Sequence, residues 1–120
     1  MEIRQHRRND RTYIEVLTLD KLIASAQEAL DVLADLYYQG AEGLILKKEQ
    51  LDPSFFNLRS GLAGEILQKC SNYRMKMAII GDYSNISEGA LRDFIYESNK
   101  GTQILFVAKI EEALERWSQH

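Results

Sequence analysis

The sequence predicts an α/β protein built on one mixed, mainly parallel sheet of five strands. Short apolar runs at 44–46 and 77–80 resemble strands that are buried on both faces, which is typical of parallel sheets. Between these runs, apolar residues recur at helical spacing. A polar pair, Asn9-Asp10, separates the first two strand-like segments and suits the tight turn of a β-hairpin. The expected element order is β-β-α-β-α-β-α-β-α.

The first half of the chain opens with strands at 2–8 and 11–17, which form the hairpin. Thr18 or Asp20 is expected to cap the first helix, because an oxygen-bearing side chain can accept a bond from its free N–H groups. Gly40 is expected to end that helix in a left-handed conformation.

The second half alternates helices and strands. The second helix is expected to begin near Ser60, and Ser84 or Ser87 is expected to cap the third. The last strand is predicted over 104–108. It is followed by a final helix with an apolar face made of Ile110, Ala113, Leu114 and Trp117.

Length and composition indicate one domain over residues 1–120, since this is enough chain for a single core and no linker-like segment interrupts it. No apolar run approaches about 18 residues, so no membrane span is expected. The first ten residues lack the apolar stretch of a secretory signal. The single Cys70 is expected on the apolar face of the second helix, which fits a reduced, cytoplasmic setting.

The charge pattern argues against nucleic acid as a partner, because the net charge is −3. The first eleven residues differ, since four arginines outnumber Glu2 and Asp10. These arginines could contact a phosphate or an acidic partner. The favoured interpretation is a solvated edge strand whose charges protect it from pairing with another chain.

The carboxyl ends of parallel strands meet at one edge of a sheet, and that edge is the candidate site. The loops expected there carry polar side chains: Asp20, Arg59, Ser60, Asp82 and Ser84. His6 and His120 lie at opposite ends of the chain, so Ser60 has no evident base and no metal-ligand spacing is present. We therefore expect no enzyme activity, no cofactor and no metal.

Two interpretations stay open for the polar residues. Ser60 is either a simple helix cap or a regulatory hydroxyl, since a phosphate there would meet the positive end of a helix and neighbouring Arg59. Asp82 is either a turn residue or a group that holds a cation or repels a phosphate.

The run from FFNLRSGLAGEILQKCSNYRMKMAIIGD through LRDFIYESNKGTQILFV resembles a bacterial family designated domain of unknown function 4180. The resemblance covers nearly the whole chain. It implies no particular activity.

The element order is also similar to that of the STAS domain of anti-sigma-factor antagonists. In that family a Ser-Gly-Leu sequence begins a helix after an irregular loop, and a partner kinase phosphorylates the serine. Ser60-Gly61-Leu62 stands in that place, and Asp20 matches an acidic residue that follows the second strand. Leu58 and Arg59 depart from the family's acidic residue and first serine. The resemblance implies a STAS-like fold and a partner such as a regulatory kinase or an anti-sigma-like factor.

Two functions are thus expected in competition. The first is a non-enzymatic regulatory module that binds another protein, with phosphorylation at Ser60 as its switch. The second is a small-ligand or nucleotide-binding domain that uses Asp20, Ser60 and Asp82. A deeply concave edge would favour ligand binding, and a flat edge rimmed by polar groups would favour protein binding. Association of identical chains is open in either case.

Overall fold

The computed structural model describes residues 1–119 and contains the elements in the predicted order. The strands are β1 (Glu2–Arg8), β2 (Arg11–Thr18), β3 (Gly43–Lys47), β4 (Lys76–Ile80) and β5 (Ile104–Val107). The helices are α1 (Ala26–Tyr38), α2 (Leu62–Asn72), α3 (Ala90–Lys100) and α4 (Ile110–Ser118). Three short 3-10 helices, Lys48–Gln50, Pro53–Phe56 and Leu58–Ser60, occupy the loop between β3 and α2.

The five strands form one sheet in the order β1-β2-β3-β4-β5. β1 pairs antiparallel with β2, whereas β2 with β3, β3 with β4 and β4 with β5 are parallel. Asn9 and Asp10 adopt φ values of 52° and 63°, the left-handed conformations that a two-residue hairpin turn requires. The α/β class and the single five-stranded mixed sheet are confirmed.

The sheet carries a hydrophobic core on each face. The larger core joins the sheet to α1, α2 and α3 through buried residues that include Leu33, Leu36, Ile66, Cys70 and Ile95. Right-handed crossovers in a sheet that grows in one direction place the connecting helices on the same face, which explains this grouping. The smaller core lies on the opposite face and is covered by α4 alone among the described helices.

Trp117 is the centre of the smaller core. Its side chain is fully buried, and its ring stacks on that of Tyr13 with 4.7 Å between centroids. The indole Nε1 donates a 2.8 Å hydrogen bond to the carbonyl of Thr102. Ile45, Ala78 and Leu105 complete the contact surface on the sheet, with Ala113 and Leu114 on the helix. One large side chain therefore fastens α4 to β2 and to the turn before β5.

Tyr13→Phe should raise the free energy of unfolding by about 1 kcal/mol, because a buried hydroxyl without a partner carries an uncompensated desolvation cost. The Tyr13 hydroxyl has no hydrogen-bond partner among residues 1–119. The phenylalanine ring keeps the stacking on Trp117. The matched control is Tyr83→Phe, which removes a 3.0 Å bond to the carbonyl of Ile79 and should lower stability by about as much. Urea unfolding of both variants checks the signs, and loss of stability in Tyr13→Phe would contradict the prediction.

The expected cap of α1 was wrong. The helix begins at Ala26, and Ser25 caps it by accepting a 3.1 Å bond from the Glu28 amide. The Glu28 carboxylate in turn accepts from the Ala24 amide at 3.0 Å and from the Ser25 hydroxyl at 3.3 Å, so Ser25 and Glu28 together hold the start of the helix. Thr18 and Asp20 lie upstream, in or just after the end of β2. Gly40, at φ 90°, does follow the helix end as predicted.

The start of α2 lies within two residues of the expected one near Ser60, whereas the expected caps of α3 were wrong. α2 begins at Leu62 after Gly61, whose left-handed φ of 79° ends the preceding 3-10 helix. α3 begins at Ala90 after Gly89, so neither Ser84 nor Ser87 caps it. In both cases a glycine with positive φ sets the boundary, since it alone enters that region without strain.

Cys70 lies on the apolar face of α2 and is fully buried, as predicted. Burial raises the pKa of its thiol to about 12, because a thiolate would lose its solvation there. At neutral pH the side chain is therefore a small hydrophobic group of the larger core.

Candidate functional site

The five predicted site residues all follow the carboxyl ends of strands and all are exposed. Asp20 lies in the loop after β2, Arg59 and Ser60 in the long loop after β3, and Asp82 and Ser84 in the loop after β4. Within residues 1–119, no hydrogen bond or ion pair joins Asp20, Ser60 and Asp82 to one another. They share an edge of the sheet without forming one contact cluster.

Asp82 and Ser84 bond to each other. One carboxylate oxygen of Asp82 accepts from the amide of Ser84 at 2.9 Å and from its hydroxyl at 2.6 Å. These two bonds stabilise the ionised carboxyl and lower the pKa of Asp82. This is the local turn geometry that aspartate and serine favour, and it supports the turn interpretation of Asp82.

Ser60 ends a 3-10 helix two residues before α2. Its hydroxyl donates a 2.6 Å bond to the carbonyl of Ser54 and accepts a 3.2 Å bond from the amide of Leu62. It therefore satisfies one free amide of α2 and also ties α2 to the turn at Pro53–Phe56. The side chain remains exposed, as does that of neighbouring Arg59.

The residue that joins the loops of this edge is Lys48, which was not among the residues predicted for the site. Its ammonium lies 5.5 Å from the ring centroid of Phe56 and 5.3 Å from that of Tyr83. It also donates a 3.4 Å bond to the carbonyl of Asp82. Lys48 is half-buried, and both rings present an electron-rich face to a cation. The loops after β3 and β4 are thus connected through one positive charge.

The aromatic residues around Lys48 are themselves anchored to the core. Tyr83 meets Phe106 of β5 edge to face at 5.6 Å, and its hydroxyl donates to the carbonyl of Ile79 in β4. Burial, with a smaller effect of Glu49, raises the pKa of Tyr83, so the phenol stays neutral. Phe56 packs against buried Phe55 at 5.0 Å. The rings are fixed supports for the lysine.

The loop after β2 is held against the same edge by main-chain bonds. Ile23 pairs with Leu51 in an isolated parallel bridge. The Ile23 amide donates to the carbonyl of Gln50, and the Ile23 carbonyl accepts from the amide of Asp52, both at 2.9 Å. Neighbouring Leu22 is consequently held beside the loop after β3 with its side chain 44% exposed.

These loops enclose an open cavity with a volume of about 480 Å³, which we call the carboxyl-edge groove. Its apolar wall consists of Leu22, Leu51, Pro53, Phe56, Ile86 and Leu91. Lys48 and Glu49 are its charged members. None of the five predicted site residues lines this groove. The sequence signal that could have indicated the groove is a pair of aromatic residues, Phe55 and Phe56, in the loop that follows Lys47 and Lys48 at the end of β3.

Among the residues that line the groove, the ionisable side chains are Lys48 and Glu49. His6 lies on the β1 edge, where its Nε2 is 2.9 Å from the Glu15 carboxylate. Over residues 1–119, no cluster of three or more histidine, cysteine, aspartate or glutamate side chains is placed to hold a metal ion. Nor does that part of the chain contain a helix both long and apolar enough to cross a membrane.

Fold and groove together define a small α/β protein with a concave groove at the strand ends. Residues 8–117 match the family described as Domain of unknown function (DUF4180), and the chain belongs to that family. The resemblance to this family noted in the sequence is thereby confirmed. No curated protein and no solved structure matches the chain.

Proposed function

We propose that this protein is a binding module whose carboxyl-edge groove receives a small ligand with an apolar body and an acidic group. The groove is the observation that carries the proposal. Its volume lies within the range of about 300–1,000 Å³ that small-molecule sites occupy, and six of its eight lining residues are apolar. A concave edge was the criterion expected to favour ligand binding over protein binding, and the groove makes this edge concave.

Lys48 selects the charge of the ligand. It is the single cation among the lining residues, and it is already held by two rings and one carbonyl. Because its position is fixed before binding, pairing with a carboxylate loses little side-chain entropy. Glu49 is exposed, so an incoming anion can approach Lys48 with the glutamate remaining in water. The apolar wall makes a hydrocarbon acid a better fit than a nucleotide.

The probe for this proposal is anilinonaphthalene sulfonate, an aromatic anion whose fluorescence rises in apolar surroundings. Leu22→Asp should weaken its binding by about tenfold or more, since a carboxylate enters the rim and repels the sulfonate. Lys48→Met keeps an unbranched side chain, one atom shorter, and removes the charge. It should weaken binding of the anionic probe and leave binding of uncharged naphthalene unchanged. Tyr38→Asp is the control, because Tyr38 is 82% exposed and lies at the end of α1. Equal affinities for all these variants would contradict the proposal.

A second candidate function is a cytoplasmic regulatory module of bacteria that resembles STAS anti-sigma-factor antagonists and binds another protein, with Ser60 as its switch. The bond from Ser60 to the Ser54 carbonyl supports it. The turn that contains Ser54 supplies Pro53 and Phe56 to the groove. A phosphorylated serine has no hydroxyl proton to donate, so that bond would be lost, and the phosphate would instead find the first amides of α2 and Arg59.

Ser60→Ala and Ser60→Asp should both fold, with melting temperatures lowered by about 5 °C or less, because the hydroxyl is exposed and its bonds contribute only about 1 kcal/mol. They should differ in the proteins that they recover from a bacterial lysate, and intact mass should show whether the native protein carries phosphate. Ser87→Asp, an exposed serine in the loop before α3, controls for added charge. If the two Ser60 variants recover the same partners, the regulatory role fails and Ser60 is a structural hydroxyl.

A further inference from the structure

The two edge strands of the sheet, β1 and β5, differ in whether the outward-facing N–H and C=O groups of their backbone are hydrogen-bonded. On β5, the Asn99 side chain accepts from the Phe106 amide at 2.8 Å and donates to the Phe106 carbonyl at 3.0 Å. Arg116 holds Asn99 in turn through a 2.9 Å bond to its carbonyl. A side chain therefore occupies the place where another strand would pair. On β1, no residue that the structure describes makes a main-chain bond to a residue outside the hairpin. One outward group of β1 does bond a side chain, since the Arg7 carbonyl accepts a 2.9 Å bond from the Arg8 guanidinium.

The register of the hairpin shows which β1 groups face outward. Arg8 and Arg11 flank the two-residue turn, and the residues that close such a turn exchange both main-chain bonds. Hydrogen-bonded pairs alternate along an antiparallel ladder, so Ile3, Gln5 and Arg7 direct their N–H and C=O groups away from β2. Thr12, opposite Arg7, accordingly directs its carbonyl away from β1, toward the amide of Glu42 at 2.8 Å.

The charge of this edge is positive. β1 carries Arg4, Arg7 and Arg8 against one acidic residue, Glu2. The Arg4 side chain is 63% exposed and lies 3.8 Å from Glu15. Arg8 lies 3.2 Å from Glu111, whose side chain is 76% exposed, and Arg7 donates to the uncharged hydroxyl of Thr12. Exposed ion pairs of this kind are weak, so an incoming carboxylate can replace them.

We propose that the outer edge of β1 binds an extended, acidic segment of a partner protein, which adds to the sheet as a sixth strand. The main-chain groups of Ile3 and Gln5 and the amide of Arg7 would provide the pairing. Acidic side chains of the segment would lie beside Arg4 and Arg8, and would draw the Arg8 guanidinium from the Arg7 carbonyl that it now bonds. A second copy of this chain is a poorer occupant, because each β1 strand carries three arginines and one glutamate, so two paired β1 strands both bring excess positive charge to the contact. This edge is separate from the carboxyl-edge groove.

The test uses the whole protein and a short synthetic peptide that alternates glutamate and valine. Fluorescence anisotropy should show binding that weakens as salt is added, since the charge contacts are exposed. The same peptide with lysine in place of glutamate should not bind. A peptide N-methylated at alternate residues loses strand pairing on one side and should bind at least about tenfold more weakly.

Gln5→Pro is the matching change in the protein. Proline removes the outward N–H of Gln5 and leaves the bonds between β1 and β2 in place, since edge strands tolerate proline at such positions. It should weaken peptide binding by about tenfold or more. Arg4→Glu combined with Arg8→Glu should reverse the preference toward the lysine peptide.

Hydrogen exchange gives a second readout that needs no variant. The amides of Ile3, Gln5 and Arg7 should exchange quickly in the free protein and slowly with the peptide bound, whereas those of Arg4, His6 and Arg8 should be protected in both states. Absence of binding, equal affinity for the lysine peptide, or protection elsewhere in the sheet would overturn the proposal. A dimer that Gln5→Pro dissociates would overturn it in favour of a second copy of this chain.

Discussion

Replacing Trp117 by alanine should lower the free energy of unfolding by about 3–5 kcal/mol, the range for truncation of a large aromatic side chain in a core. The indole is fully buried, stacks on Tyr13 and donates to the carbonyl of Thr102. The variant loses all three contributions. α4 alone covers this face of the sheet among the described helices, so no neighbouring helix can move in to fill the cavity. Chemical denaturation followed by far-ultraviolet circular dichroism measures the loss.

Two controls separate the parts of this effect. Trp117→Phe keeps an aromatic ring above Tyr13 and removes the indole N–H, so its loss should be clearly smaller than that of alanine. Tyr96→Ala removes an aromatic side chain that is 57% exposed and should change stability by less than about 0.5 kcal/mol. A loss below about 2 kcal/mol in Trp117→Ala would mean that α4 contributes little to holding the sheet together.

Gly81→Ala should lower the free energy of unfolding by about 1–3 kcal/mol and weaken ligand binding in the carboxyl-edge groove. A Cβ at position 81 would lie 2.8 Å from the Cβ of Lys48 and 3.1 Å from its Cδ. The near atom is the first carbon of the lysine side chain, which rotation about the side chain cannot move away. The backbone at Lys48 must shift, and its ammonium then leaves the two rings and the Asp82 carbonyl.

Gly64→Ala is the matched control for the same chemical change. Gly64 lies in α2, and an added Cβ there meets nothing within 4 Å. Alanine favours helix over glycine by about 1 kcal/mol, so this variant should gain stability and bind the naphthalene probe normally. In thermal unfolding, Gly64→Ala should raise the melting temperature and Gly81→Ala should lower it. A Gly81→Ala protein as stable as the native one, with unchanged probe binding, would contradict the close approach of Lys48.

The elements that sequence reasoning found were those with a strong pattern of apolar residues. The runs of β3 and β4 and the turn at Asn9-Asp10 are local signals, and each was placed correctly. The starts of α1 and α3 were missed because several polar residues competed as caps. Ser25 prevails at α1 because Glu28 lies three residues later, and that pairing was present in the sequence. At α3 the boundary belongs to Gly89, whose positive φ only the fold reveals.

The sequence predicted at which edge of the sheet the candidate site lies. It did not predict which residues line the groove at that edge. Parallel strands bring Asp20, Ser60 and Asp82 to the same end of the sheet, as topology requires. The groove depends instead on side chains from separate loops that meet without any periodic spacing. Leu22 reaches the groove because neighbouring Ile23 pairs with Leu51. Lys48 reaches it because Gly81 has no side chain to occupy the same space. Such contacts between loops leave no mark in a single sequence.

The placement of α4 also has a consequence for how the protein is made. Each strand pairs with the one synthesised just before it, so the sheet can assemble in order as the chain leaves the ribosome. Tyr13 is among the first core residues to emerge, yet its cover, Trp117, lies in the last helix described. Until α4 has been synthesised, the nascent sheet therefore exposes the apolar face that Trp117 later covers.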